Sequence, residues 1–165
     1  MRTFSEVFRV PEFTPLFLTS ALQVAASTAS GLALGTLVYA ATGSPLLSAL
    51  SMFGPSLAQV AGALALLSAA DRLPPRAALS GLAALFALGT AASALPGLPV
   101  AAILAIVLGL GAAASLGGAV RYGLLTEILP KDGYPLGRSL INMSSGTMQI
   151  GGYAVGGALV TALSA

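Results

Sequence analysis

Every charged side chain of this sequence falls in one of three short segments, and the gaps between those segments are long, uncharged and apolar. The first segment holds Arg2, Glu6, Arg9 and Glu12, the second Asp71, Arg72 and Arg76, and the third Arg121, Glu127, Lys131, Asp132 and Arg138. Between and after them run uncharged stretches at 13–70, 77–120 and 139–165, of 58, 44 and 27 residues. One helical crossing of a bilayer takes about 20 apolar residues, within a range of about 17–25. The stretches therefore accommodate two, two and one crossings, which predicts five transmembrane helices.

Composition agrees with that reading. Only 7% of the 165 residues are charged and 56% are hydrophobic, with a mean hydropathy of +0.94. A soluble domain carries roughly 25% Asp, Glu, Lys and Arg. The chain has no cysteine and no histidine, which excludes a disulfide scaffold and any His- or Cys-based catalytic or metal centre. Seven basic residues are too few to build a phosphate-binding face, so nucleic acid is excluded as a partner.

Turn residues divide the two long stretches where the length arithmetic requires it. Ala41-Thr42-Gly43-Ser44-Pro45 interrupts the first and Pro96-Gly97-Leu98-Pro99 the second, because glycine and a residue before proline favour turns over continued helix. The expected architecture is a single all-α transmembrane domain over 1–165, a polytopic membrane helix bundle with spans at about 13–40, 46–70, 77–95, 99–122 and 139–163. All Lys and Arg then fall on one side of the membrane. The positive-inside rule makes that side cytoplasmic, which places the N-terminus inside and the C-terminus outside.

The N-terminal segment does not read as a signal peptide, since its apolar run exceeds the 7–15 residues of an h-region and Arg and Glu are mixed ahead of it. Two readings stay open for it. Phe4, Val7 and Phe8 line one side of a short interfacial helix with Arg2 and Arg9 near the headgroups, or the segment is a frayed tail.

Small residues recur at helical spacing. Gly31 and Gly35 stand four apart, as do Gly152 and Gly156, and Gly109, Gly111, Gly117 and Gly118 fall in the fourth span. Within lipid, helices associate through close backbone approach, which needs small side chains at the contact. Such faces serve first of all tight packing, with hinge or sliding surfaces of a moving protein as the alternative. Polar uncharged residues form a second pattern. Thr19, Gln23, Ser27 and Ser30 lie within an arc of about 80° of one helix, and Asn142, Ser145, Gln149 and Tyr153 repeat the arrangement in the fifth span. Hydroxyls can return a hydrogen bond to their own helix. The amides of Gln23, Gln59, Asn142 and Gln149 cannot be satisfied by lipid, so they act either as interhelical glue or as the lining of a polar pathway.

Gly54-Pro55 in the second span predicts a kink or local opening, facing inward. No ionisable side chain falls near the middle of a span, which argues against an intramembrane hydrolase and against a complete proton relay. The chain is therefore not expected to be an enzyme. Arg121, at the end of span four, can snorkel to the interface.

The order of these elements resembles the N-terminal half of a major facilitator superfamily transporter, most closely the bacterial drug and siderophore exporter branch. The resemblance runs from Phe8 to Ala165 and rests on three motifs. Asp71, Arg72 and Arg76 are similar to the charged core of the loop that gates the cytoplasmic face, with Leu67 and Pro74 where the family carries glycines. Arg121, with Leu124, Leu125 and Pro130, is similar to the pattern at the exit of helix four, with Thr126 replacing a second proline. Gly152-Tyr153-Ala154-Val155-Gly156-Gly157 resembles the glycine motif of helix five, with Tyr153 replacing a proline.

That resemblance implies an alternating-access fold of two six-helix halves with substrate bound at the midplane. The chain corresponds to a first half lacking its sixth helix, and so is expected to be a fragment that works with the C-terminal half of the same transporter or with another chain. The implied function is export of small amphipathic organic compounds across the bacterial cytoplasmic (inner) membrane. Cavity-lining candidates are Gln23 and Ser27, then Gln59, Asn142 and Gln149; Asp71, Arg72 and Arg76 are the gating loop, and Arg121, Gly152, Gly156 and Gly157 the interface motifs. No cofactor or metal is expected, and a proton-coupling acid would lie outside this chain. The alternative is a small membrane interaction protein that binds partner helices and transports nothing. Six Arg against one Lys, with abundant Ala and Gly, is a composition associated with GC-rich bacteria.

Overall fold

The computed structural model describes residues 3–70, 74–93, 95 and 97–164, and the side chains of all of these except 66–70 and 163–164. Asp71 and Arg72 of the expected gating loop, and Arg2, lie outside the described residues. All regular structure among the described residues is helical: α1 (Phe4–Phe8), α2 (Phe13–Thr42), α3 (Pro45–Ala70), α4 (Pro75–Ser93), α5 (Val100–Ile128) and α6 (Tyr134–Ser164).

Helices α2 to α6 fall in order on the residue ranges expected for the spans, with two differences at the third charged segment. The fourth helix continues through Arg121 and Glu127 to Ile128, and the last begins at Tyr134 rather than near 139. Both extensions have an apolar reason to stay helical: Leu125, Leu129 and Ile141 are buried, while Glu127 and Arg138 are exposed. Charge therefore does not mark where these two helices end.

Four segments are long and apolar enough to cross a membrane: Phe13–Thr42, Pro45–Ala65, Pro75–Ser93 and Val100–Ile128. Helix α6 has ample length at 31 residues but is not among them. Its glycines, hydroxyls and the amides Asn142 and Gln149 dilute its apolarity. The large apolar side chains mostly face outward, with Leu64 86% and Leu46 77% exposed. That outer surface suits lipid, since a soluble monomer rarely exposes contiguous apolar patches beyond a few hundred Å².

The chain forms two compact units, Met1–Leu32 with Arg121–Ala165, and Ala33–Val120. In the first, α1 packs on α6, and Val7 is fully buried. The N-terminal segment is thus a short helix and not a frayed tail. Its Phe8 ring meets Phe13 and Phe17 edge-on at 5.3 and 5.2 Å, within the range where aromatic pairs add stability beyond area burial. Deeper along the helices, Gly152 and Gly156 sit against α2. A Cβ on Gly152 would lie 2.7 Å from the Ala25 carbonyl oxygen, and one on Gly156 would lie 3.1 Å from the Ala29 Cα. Ala25 and Ala29 are themselves four apart, so small faces small across the crossing.

The second unit packs by the same device, more tightly. A Cβ on Gly62 would lie 2.5 Å from the Ala112 carbonyl oxygen, and Gly111 presses on the backbone of Pro55. Helix α3 runs on through Gly54-Pro55 without interruption. The expected inward orientation of that dipeptide holds: Gly54 meets the Leu108 side chain and Pro55 meets Gly111, both on α5. Gly89 of α4 abuts the Leu110 side chain. Gly109 and Gly118, also expected at packing surfaces, have nothing within 4 Å of a would-be Cβ. Where α2 turns into α3, Gly43 adopts φ +64°, a left-handed conformation that glycine reaches without steric cost. The N–H of Gly43 returns to the Tyr39 carbonyl at 2.8 Å, closing the helix end.

Candidate functional site

Most hydroxyls in the helices resolve to local structure. Thr19 bonds the Pro15 carbonyl at 2.8 Å and Ser27 the Val24 carbonyl at 3.0 Å, and Ser144 and Ser145 both return to Ile141. Such bonds satisfy the hydroxyl within its own helix and leave it no obligation to a neighbour. Ser48 differs, donating across to the Gly35 carbonyl of α2 at 2.7 Å.

The amides and the nearby cations organise around two consecutive residues of α5. Arg121 Nη2 donates to Gln23 Oε1 on α2 at 3.1 Å, and both side chains are half-buried. The Tyr122 hydroxyl donates to Asn142 Oδ1 on α6 at 3.0 Å. Neighbouring residues on a helix point about 100° apart, so Arg121 and Tyr122 reach different helices from one turn of α5. On the α6 side, the Arg138 guanidinium stands 5.3 Å from the Tyr122 ring centroid, within the range of a cation–π contact.

The electrostatics of this cluster are one-sided. Neither Arg121 nor Arg138 has a carboxylate partner among the described residues. Arg121 has five N–H donors and spends one on Gln23, so the remaining donors can take an acceptor on another molecule. The site is thus a cationic, hydrogen-bond-donating patch. No group of three or more His, Cys, Asp or Glu that could hold a metal occurs among the described residues.

Of the expected site residues, the structure joins Gln23 to Arg121 and Asn142 to Tyr122. Ser27 is exposed and bonded to its own helix; Gln59 and Gln149 are exposed, with no hydrogen-bond partner among the described residues. Arg76 is exposed in the first turn of α4. Tyr122 and Arg138 were not legible as site residues, because nothing local distinguishes an interfacial tyrosine and arginine from topology markers. The available signal was the unpaired Asn142 amide, which needed a donor.

The four long apolar helices define the class: an all-helical, multi-pass membrane protein. Comparison with protein-family models, curated proteins and solved structures finds no match.

Proposed function

We propose that the chain is the N-terminal, five-helix part of a secondary active transporter of the major facilitator type, in which α6 is the fifth crossing. It exports small amphipathic organic compounds from a bacterial cytoplasm by alternating access, together with a second half or another chain. The observation that supports this most is the Arg121–Gln23 hydrogen bond. It ties α5 to α2, and these correspond to helices four and one, which line the cavity in that superfamily. The guanidinium refines the cargo: an amphipathic compound carrying an acceptor or acidic group suits this patch better than a cationic one. No chemical step falls to these residues, and a coupling proton would be carried by an acid outside the chain.

The rival reading, a membrane interaction protein, has one observation in its favour. The Gln59 amide is exposed on α3 without a hydrogen-bond partner among the described residues, and a partner helix could satisfy it.

Efflux of an amphipathic fluorescent dye from cells expressing the transporter with both halves tests the proposal. Gln23→Leu and Arg121→Gln should each lower export about tenfold while membrane expression holds, the scale of losing a hydrogen bond to a charged group. Unchanged efflux in both variants would remove the pair from the site.

A further inference from the structure

The polar cluster opens, at the start of α6, onto a cleft of its own. An open cleft of about 470 Å³ is lined by Tyr134, Pro135, Arg138, Ser139, Asn142 and Met143. It contains a cation and three polar uncharged side chains, Tyr134, Ser139 and Asn142, and no acidic one. Arg138 is steadied over the Tyr122 ring and has no ion pair among the described residues. Asn142 accepts from Tyr122 through its oxygen, which turns its two N–H donors to other acceptors.

Depth decides what can reach this cleft. With 31 residues at 1.5 Å per residue, α6 is about 46 Å long against a hydrocarbon core of about 30 Å. About five residues at each end therefore stand at headgroup level, and Arg138 is the fifth residue of α6. Below it, beside the exposed Gln149 amide, the helix offers open apolar positions. Met143 is 62% and Ile150 74% exposed, and between them Gly146 has nothing within 4 Å of a would-be Cβ. Gly146 lies about 12 Å deeper than Arg138 along the helix axis, a depth that an acyl chain spans.

We infer that this end of α6 binds one anionic phospholipid of the inner leaflet, with the headgroup phosphate on Arg138, Ser139 and Asn142 and one acyl chain along Met143, Gly146 and Ile150. Charge complementarity selects the occupant. The segment carrying these residues is on the positive, cytoplasmic side, where anionic lipids are drawn to juxtamembrane basic residues. The inference rests on α6 crossing the membrane and is independent of whether the chain transports anything.

Native mass spectrometry of the full chain in mild detergent tests it, with added dioleoylphosphatidylglycerol or dioleoylphosphatidylcholine as probes. The wild-type chain should retain phosphatidylglycerol about fivefold better than phosphatidylcholine, the scale of one basic residue near the surface. Arg138→Gln should abolish that preference, and Arg76→Gln, on a different helix, should keep it. Gly146→Leu fills the acyl track at an open position and should weaken retention of both lipids; it carries the test if Arg138→Gln fails to fold by size-exclusion chromatography and circular dichroism. Equal retention of the two lipids by the wild type overturns the site, as does full preference in Arg138→Gln. Displacement of phosphatidylglycerol by excess inorganic phosphate overturns the lipid as occupant. The absence of native cysteine permits a separate check: Lys131→Cys should be labelled from the cytoplasmic side, and labelling from the outside alone overturns the inner-leaflet assignment.

Discussion

The two compact units hold their helices together by different means. In Ala33–Val120, the closest contacts between helices press backbone on backbone, at Gly62 with Ala112 and Gly111 with Pro55, and the polar contribution across helices is the bond from Ser48 to the Gly35 carbonyl. Its only charged side chain among the described residues is Arg76, which is exposed. The other unit has glycine crossings too, but adds Arg121 with Gln23, Tyr122 with Asn142, Arg138 with Tyr122, and the ring cluster of Phe8, Phe13 and Phe17. The contrast assigns roles. Dispersion at short range tolerates almost no change of volume and has no chemistry to offer a solute, whereas polar contacts at half-buried positions can be exchanged for contacts with one.

The largest effect should come from breaking the first kind of contact. A methyl group on Gly111 meets the Pro55 backbone, which cannot swing aside as a side-chain tip can. Gly111→Ala should cost about 3 kcal/mol, at the upper part of the overpacking range. Gly109→Ala, two residues along the same helix at an open position, should stay within about 0.5 kcal/mol of wild type. Thermal midpoints of the two variants in one detergent give the comparison. Equal midpoints would mean that α3 and α5 are not held at backbone contact.

An intermediate effect belongs to the polar unit. Hydrogen bonds to charged groups contribute about 1.5–3 kcal/mol, and partial exposure brings Arg121–Gln23 toward the lower end. A double-mutant cycle of Gln23→Leu and Arg121→Met should return a coupling near 1.5 kcal/mol. Additive effects on stability would leave the pair a contact without energetic content, and the roles assigned to the two units would lose their basis.

The same contrast explains what could be read from the sequence. Helix positions were legible because charge and hydropathy vary along the chain, and a helix inherits both directly: α2 begins at Phe13 and α3 at Pro45, within a residue of the expected 13 and 46. Which residues meet across helices depends on rotation and crossing, which periodicity constrains only to a face. Gly152 and Gly109 look alike in sequence, yet one abuts Ala25 and the other faces open space. Thr19, Gln23 and Ser27 share one arc, yet only the amide reaches beyond its own helix. Gln23 and Arg121 lie 98 positions apart, so no local pattern connects them. Helices α5 and α6 run beyond the expected spans, to Ile128 and from Tyr134, because a long charged side chain can leave the backbone helical and place only its tip in water.

The smallest effect sharpens the boundary between a polar contact that specifies structure and one that is available to a ligand. Tyr122 does two things at once: its hydroxyl holds Asn142 and its ring supports Arg138. Tyr122→Phe removes only the first and should cost about 0.5–1 kcal/mol, the net worth of an ordinary hydrogen bond. Tyr122→Leu removes both, and should cost a further 0.5–1 kcal/mol or so for an exposed cation–π contact. If the two variants melt together, Arg138 gains nothing from the ring and is held at the mouth of α6 by its own rotamer alone. A step between them means that the guanidinium is placed, and that the orientation of the one unpaired cation in the α6 cleft is a property of the fold.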